Sequence, residues 1–175
     1  MKDDSPSLDP LIEALKESDE LRRRERAQRI IWAQSHGPMQ GVFGGPTELM
    51  ELMLEARLCY IEGRYIGALV TAVAAIEQLI VGEVVEEGLG SYGIGFESAI
   101  DLANSKGLFE TQALEQAHVL RRRRNPYSHK KRAGHTYNLG TRVAEERKHP
   151  DAIKQGDAEL AIKTMYLLLN TLVRK

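Results

Sequence analysis

Apolar residues recur every three or four positions along most of this chain of 175 residues, which is the spacing of amphipathic helices. The first apolar stripe is short and consists of Leu8, Leu11, Ile12 and Leu15. From Lys16 to Arg29 charges of both signs alternate, so this predicted helix has little to bury and either faces solvent or packs on a partner. Ile30, Ile31 and Trp32 follow and are predicted to form a small hydrophobic anchor.

The segment HGPMQGVFGGP, from His36 to Pro46, interrupts the helical pattern with four glycines and two prolines. Glycine and proline punctuate regular structure, so this segment is predicted to be a linker or an ordered loop. We therefore divide the chain into a charged N-terminal helical extension with its linker, residues 1–46, and a helical bundle domain, residues 47–175.

The bundle domain is predicted to begin with Thr47 as the N-cap of a helix that Gly63 ends. The next segment, Tyr65 to Glu87, is apolar most of the way round, which is typical of a helix at the centre of a bundle. Glu77, Gln78 and Glu83 interrupt its apolar run, so the sequence argues against a membrane span.

Three further helices are predicted in the C-terminal half of the chain. One starts near Phe96 and stops at Gly107, and another runs from Glu110 to Arg123. A long polar tract, part of it helical, then leads to Asp157, which is expected to cap the last helix. The fold class is all-α: a helical bundle of four to five helices with an N-terminal helical extension.

Composition adds few constraints to this picture. The formal net charge is -1, so any affinity for nucleic acid has to come from a local basic patch. The single cysteine, Cys59, excludes an intrachain disulfide and suits a reducing compartment. The N-terminus is acidic and carries no apolar run, so a secretory signal is not expected. We expect a cytoplasmic protein that needs no metal or cofactor.

The candidate chemistry lies between Leu120 and His129, where four arginines, a proline and a histidine fall within ten residues. On an unbroken helix Arg124 and His129 would point about 140° apart and could not serve one site. Pro126 removes a backbone donor and biases Asn125 away from helical angles. The chain is therefore predicted to turn between Arg124 and His129, which would let both side chains reach one surface.

The surroundings of this stretch are strongly basic, since no carboxylate occurs between Glu115 and Glu145. The predicted nucleic-acid-binding residues are Arg121, Arg122, Arg123, Tyr127, Lys130, Lys131 and Arg132. Cations attract a phosphate backbone, and a tyrosine ring offers a face on which a base stacks. The plainer alternative is a solvated helix end, where the helix dipole favours cations in any case.

The segment Arg124-Asn125-Pro126-Tyr127-Ser128-His129, at the end of a helix in an all-α domain, resembles the signature of the HEPN superfamily. Members of that superfamily carry an arginine, often followed by a polar residue, and a histidine after four to six residues. The apolar central segment AVAAIEQLI around Glu77 is also similar to family members. The resemblance covers residues 47–175.

The resemblance implies a metal-independent endoribonuclease that cleaves RNA by 2′-OH attack and leaves 2′,3′-cyclic phosphate ends. It implies catalytic roles for Arg124, Asn125 and His129, and a homodimer whose two motifs form a composite active site. The setting it suggests is a toxin or antiviral-defence system, in which an antitoxin or accessory protein would be a partner. Family members with a modified tyrosine carry it two residues after the histidine, where this chain has Lys131, so that subclass is not supported.

Several alternatives remain open at the level of the sequence. Glu77 either supports the site by pairing with an arginine of the motif or faces solvent. The domain could bind nucleic acid or nucleotides without cutting, or it could be a helical interaction module whose arginines contact an acidic partner. A zinc site built from His118, His129, His135 and His149 is disfavoured, because the spacing is irregular and no cysteine supports it.

Overall fold

A computed structural model describes residues 8–37 and 46–173, and within those residues it contains helices and no strands. The described residues form seven helices, so the all-α prediction is confirmed. Six of them follow the N-terminal helix, so the predicted bundle of four to five helices beside the N-terminal extension is not confirmed. Their bounds are α1 Leu8–His36, α2 Thr47–Ile61, α3 Tyr65–Glu86, α4 Phe96–Ser105, α5 Thr111–Ser128, α6 Leu139–Glu146 and α7 Pro150–Val173.

Helix α3 lies at the centre of the fold and packs against α2, α4, α5 and α7, which confirms the sequence prediction for this segment. Its small residues Ala68, Ala72 and Ala75 are completely buried, so the neighbouring helix backbones approach it closely. Ile76 and Ile80 fill the core between these contacts. One continuous hydrophobic core results, and it takes side chains from α1 to α5 and from α7.

By length and composition alone, α3 is apolar enough to cross a membrane. The polar interruptions at Glu77, Gln78 and Glu83 were therefore not a sufficient argument against a span. In the structure 61% of the 18-residue apolar stretch of α3 is buried inside the protein, as in the core helix of a soluble protein. A single helix of this kind is weak evidence for a membrane span.

The last helix starts eight residues earlier than a cap at Asp157 predicted. Pro150 is its first residue, a position where the missing backbone N–H of proline costs nothing and its fixed φ suits the helix. Asp157, expected to cap the helix, lies inside it and is only 1% exposed. Thr47 is likewise the first residue of α2 rather than its cap, which is Pro46.

Helix α5 passes through Pro126 and ends at Ser128, so the predicted turn at Asn125 does not occur. Because Pro126 lies in the last turn of the helix, it removes one backbone hydrogen bond. Few helical residues follow it, so a kink at this position would displace little of the helix. The backbone N–H of His129 still donates to the carbonyl of Asn125 at 2.8 Å. The chain then leaves the helix at His129, which has an extended conformation with φ -141° and ψ 132°.

Only the C-terminal half of α1 packs on the rest of the molecule. Ala33 is buried, and the ring of Trp32 lies 4.6 Å from the ring of Tyr60 on α2. Arg29 donates to the backbone carbonyl of Ile61 at 2.8 Å. Ile30 and Ile31, predicted to belong to the anchor, are exposed, so Trp32 and Ala33 form the anchor instead. The boundary between residues 1–46 and 47–175 stays a prediction.

Candidate functional site at the end of helix α5

The four consecutive arginines of α5 point in different directions, because successive helical residues are about 100° apart. Arg121 reaches Glu97 on α4, and Arg124 reaches Glu77 on α3. Arg123 donates to Asp157 on α7 at 2.9 Å, while Arg122 lies 3.4 Å from the hydroxyl of Tyr137. Three of the four guanidinium groups therefore meet carboxylates that the linear sequence places far away.

The Arg123 contact belongs to a buried network that also contains Arg142 of α6. The Asp157 carboxylate accepts hydrogen bonds from both guanidinium groups, and Arg142 binds it with two nitrogens. Burial tends to lower the pKa of Arg142, but the hydrogen bond and charge of Asp157, aided by Glu146, raise it. The network links α5, α6 and α7, and it keeps the Arg123 side chain mostly buried.

In the sequence, Arg142 is one of the cations in the stretch between Glu115 and Glu145 that has no carboxylate, and Asp157 was expected to be a helix cap. A signal for the network was nevertheless present. Asp157 lies four residues after Ile153 and four before Ala161, on the face of α7 that enters the core. A carboxylate on such a face needs a cationic partner, since an unpaired buried charge is very costly.

Arg124 and Glu77 form the second cross-helix ion pair of this region, with 3.4 Å between the nitrogen and the oxygen. Their side chains are 21% and 38% exposed, so the pair lies at the edge of the core and is reachable from solvent. The Arg124 Nε is buried and has no hydrogen-bond partner among the described residues. Glu77 thus pairs with an arginine of the motif, and its role in supporting the site stays a prediction.

The remaining motif residues lie at the point where α5 ends. Asn125 is half-buried, and His129 is exposed. Within residues 8–37 and 46–173 no hydrogen bond joins the His129 ring to Arg124 or to any other side chain. The structure therefore brings Arg124 and Glu77 together but leaves His129 as a separate exposed group one turn further along the chain.

Tyr127 packs against the hydrophobic core with its ring half-buried. Burial, followed by the negative charge of Asp157, raises the pKa of its hydroxyl. A tyrosine in this position has less of its ring free for stacking than an exposed one would have.

Four cations near the motif have no carboxylate partner in the described part of the chain, and we call them the free cations: Arg122, Lys130, Lys131 and Arg132. The segment that follows α5 is folded on itself, because Asn138 donates through its side chain to the carbonyl of Arg132 at 2.9 Å. The positive charge available to a ligand thus comes mainly from the free cations.

Three of the four histidines considered for zinc have separate partners, and the fourth, His129, is exposed. His118 contacts Asp101 at 2.9 Å, His149 contacts Asp151 at 3.6 Å, and His135 accepts from the backbone N–H of Tyr137. Among the residues that the structure describes, no group of three or more metal-ligating side chains converges.

Cys59 is partly buried, and its thiol donates to Glu55 at 3.3 Å. Burial, with the hydrogen bond and charge of Glu55, raises the pKa of the thiol. A nucleophilic cysteine needs the opposite shift, because the thiolate is the reactive form.

A cleft of about 800 Å³ lies away from the arginines of α5, between the C-terminal half of α1, the turn from α2 to α3 and the start of α7. Its aromatic wall contains Trp32, Tyr60 and Tyr65. The Tyr60 hydroxyl donates to Glu159 at 2.8 Å, and burial followed by this hydrogen bond raises the pKa of Tyr60. Sequence reasoning did not find this cleft, since its residues come from distant segments.

Comparisons with protein-family models, with curated proteins and with solved structures found no match to this chain.

Proposed function

We propose that this protein is a metal-independent endoribonuclease of the HEPN type. One observation carries the proposal: an arginine, a polar residue and an exposed histidine lie within six residues of one another in the chain, where α5 ends. Arg124 and Asn125 belong to the last turns of the helix, and His129 is the first residue beyond it. Of the free cations, Arg122 precedes the motif and the other three follow it directly in the chain, and all four offer binding groups for the phosphates of an RNA strand.

The reaction is an attack of a ribose 2′-oxygen on the adjacent phosphorus. A new 2′-O–P bond forms, the P–O5′ bond breaks, and the products carry a 2′,3′-cyclic phosphate and a 5′-hydroxyl. In this proposal His129 takes the proton of the 2′-OH or gives one to the leaving 5′-oxygen. Arg124 stabilises the charge that develops on the phosphoryl oxygens, and Asn125 orients the phosphate or the histidine.

The predicted binding residues are not equally available to a phosphate. Arg122, Lys130, Lys131 and Arg132 are the first choice for phosphate contacts, since no carboxylate of the described chain neutralises them. Arg121 and Arg123 would contribute less, because Glu97 and Asp157 already occupy them. Tyr127 offers at most the open part of its ring for stacking.

A composite site supplies the second proton-transfer group. One His129 cannot readily serve both oxygens, which lie on opposite sides of the phosphorus in an in-line displacement, whereas two copies would provide two histidines. We therefore include a homodimer in the proposal, together with a cytoplasmic toxin or antiviral-defence setting and a partner that restrains the activity.

The experiment is cleavage of a fluorescent single-stranded or structured RNA in excess chelator, with the ends of the products identified. Wild-type protein and the His149→Ala control, which alters another exposed histidine, should yield 2′,3′-cyclic phosphate ends. His129→Ala and Arg124→Ala should abolish cleavage while unfolding at the wild-type temperature. Wild-type rates for His129→Ala would refute the mechanism, and a substrate with deoxyribose at the cleaved position should resist the active protein.

A second candidate function is a binding or interaction module without catalysis. The observation in its favour is the pairing of Arg121, Arg123 and Arg124 with carboxylates, which leaves less free charge than the sequence suggested. Under this alternative, RNA binds or an acidic partner docks without being cut, and no RNA tested in the assay above is cleaved.

A further inference from the structure

The N-terminal half of α1 extends beyond the body of the protein. Every residue from Leu8 to Glu25 is exposed except Ser18, which is partly buried. Within the described part of the chain, the hydrogen bonds and ion pairs of residues 8–23 all stay inside α1. We call residues 8–21 the arm; its 14 residues span about 21 Å.

The arm carries an apolar face with nothing on it. Leu8 and Leu15 are 69% and 62% exposed, and Leu11 and Ile12 complete the same stripe. At about 100° per residue, Leu8, Leu15 and the buried Ala33 fall within about 20° of one another around the helix. The stripe is thus a continuation of the face that α1 uses to pack on the body. A solitary helix of this length is marginal in water without such packing.

The charge along α1 is segregated into two halves. The arm contains five carboxylates and one lysine, whereas residues 22–29 contain five arginines and one glutamate. We call residues 22–29 the basic half. The ion pairs between the halves, Arg22 to Asp19 at 3.4 Å and Arg23 to Glu20 at 3.5 Å, are exposed pairs of the kind that contribute little. Within the basic half, Arg26 already pairs with Glu62 at 2.7 Å and Arg29 with Glu25 at 3.4 Å. The charges available to a partner are therefore those of Arg22, Arg23 and Arg24 and the carboxylates of the arm.

We propose that the arm docks on the basic half of α1 in a second copy of this chain, with the two α1 helices antiparallel. A parallel pair would place arm against arm and repel, while an antiparallel pair places each acidic arm on a basic half. With the two-fold axis near Leu21, Ile12 lies opposite Ile30 of the partner subunit, and Asp19 lies opposite Arg23 of the partner subunit. The contact would cover Ile30, which is 37% exposed in the single subunit.

This pairing also orients the two bundles. Helix α1 runs parallel to α7, because Arg29 and Gln155 both contact the hydroxyl of Tyr65 while Lys163 lies over the ring of Trp32. Helix α5 runs antiparallel to α7, since Gln116 contacts Thr164 and Arg123 contacts Asp157. The arm therefore projects past the same end of the bundle that carries His129. An antiparallel α1 pair turns the two His129 ends towards each other, a consequence that bears on the proposed function although the association itself does not depend on it.

The first test is sedimentation equilibrium of the full chain at low salt, with Ile12→Asp and a matched Leu21→Asp control. Leu21 is 79% exposed and points about 180° away from the proposed contact. Wild type and the control should dimerise alike. Ile12→Asp should raise the dimer Kd about a hundredfold, since each dimer loses two buried side chains of about tenfold each. Equal dimer Kd values for Ile12→Asp and the control would overturn the proposal.

The second test distinguishes a second copy from any other partner. Asp19→Arg with Glu20→Arg reverses part of the arm, and Arg23→Glu with Arg24→Glu reverses part of the basic half. Each double variant alone should be monomeric, because both of its contacts now repel. An equimolar mixture should form a heterodimer, in which both contacts are attractive again. A mixture that stays monomeric, or a wild type that stays monomeric up to about 100 µM, overturns the proposal. Sedimentation reads no cleavage, so an inactive protein that dimerises leaves this inference intact.

Discussion

The guanidinium of Arg124 at the end of α5 lies 3.4 Å from the carboxylate of Glu77 on the central helix. The pair joins the candidate catalytic arginine to the core of the fold. It also places a negative charge where the proposed mechanism requires a phosphate, so Glu77 and an RNA phosphate would compete for Arg124.

Replacement of Glu77 by glutamine should therefore strengthen RNA binding. Half-exposed ion pairs contribute up to about 1 kcal/mol, so the Kd for a 2′-O-methyl RNA should fall by about two- to fivefold. Fluorescence anisotropy in chelator measures this directly. Glu97→Gln, which frees Arg121 in the same way, is the matched control and should have a smaller effect, since in the proposal Arg124, and not Arg121, contacts the phosphate at the cleavage site. Weaker binding by Glu77→Gln would indicate that the carboxylate positions Arg124 instead of blocking it.

Asp157→Asn should destabilise the protein more than any exposed carboxylate substitution. It leaves Arg123 and the buried Arg142 without their shared counter-charge, and breaking a buried pair costs about 3–5 kcal/mol. Urea unfolding followed by circular dichroism gives the free energy of unfolding. Asp151→Asn, at the exposed start of the same helix, is the control and should cost less than about 1 kcal/mol. Similar losses for both variants would show that the buried network contributes no special stability.

Alkaline pH should destabilise the protein through Tyr60. Burial, and next the hydrogen bond to Glu159, raise the pKa of its hydroxyl in the folded state. The stabilisation from the neutral Tyr60 hydroxyl is fully present below the pKa of a tyrosine in the unfolded chain, which is about 10. It is lost as the pH rises above that value, because Tyr60 ionises first in the unfolded chain. Tyr60→Phe should show a flatter decline of the free energy of unfolding between about pH 9 and pH 11. The exposed Tyr92→Phe should decline like wild type, and an equally steep decline in Tyr60→Phe would contradict the assignment.

The hydrophobic pattern alone was enough to predict the helices that build the core. Residues such as Ile76, Ile80, Leu114 and Leu168 recur at helical spacing, and burying them demands helix-on-helix packing whatever the details of the connections. Helix ends were less predictable. Pro126 and Asp157 are ordinary termination signals in a sequence, yet one lies within a last turn and the other is buried in a helix interior.

The charges near the motif show where local information ends. In the sequence, the segment from Arg121 to Arg132 has no acidic neighbour, so the sequence predicts a continuous basic patch. In space, Glu77, Glu97 and Asp157 arrive from three other helices and neutralise three of its arginines. Which arginines of α5 remain free depends on the direction in which each side chain leaves the helix. Successive side chains point about 100° apart and therefore meet different helices that are distant in the sequence.

The sequence by itself determined an all-α chain with a central apolar helix, and it determined that Arg124, Asn125 and His129 would lie near the end of one helix. Helical periodicity and the order of residues suffice for both, because they are local properties. Only the tertiary structure decided that Arg124 pairs with Glu77, that Arg142 and Arg123 share a buried Asp157, and that the arm of α1 is left uncovered. Those outcomes depend on how the helices are packed, and packing places side chains from separate segments within reach of one another.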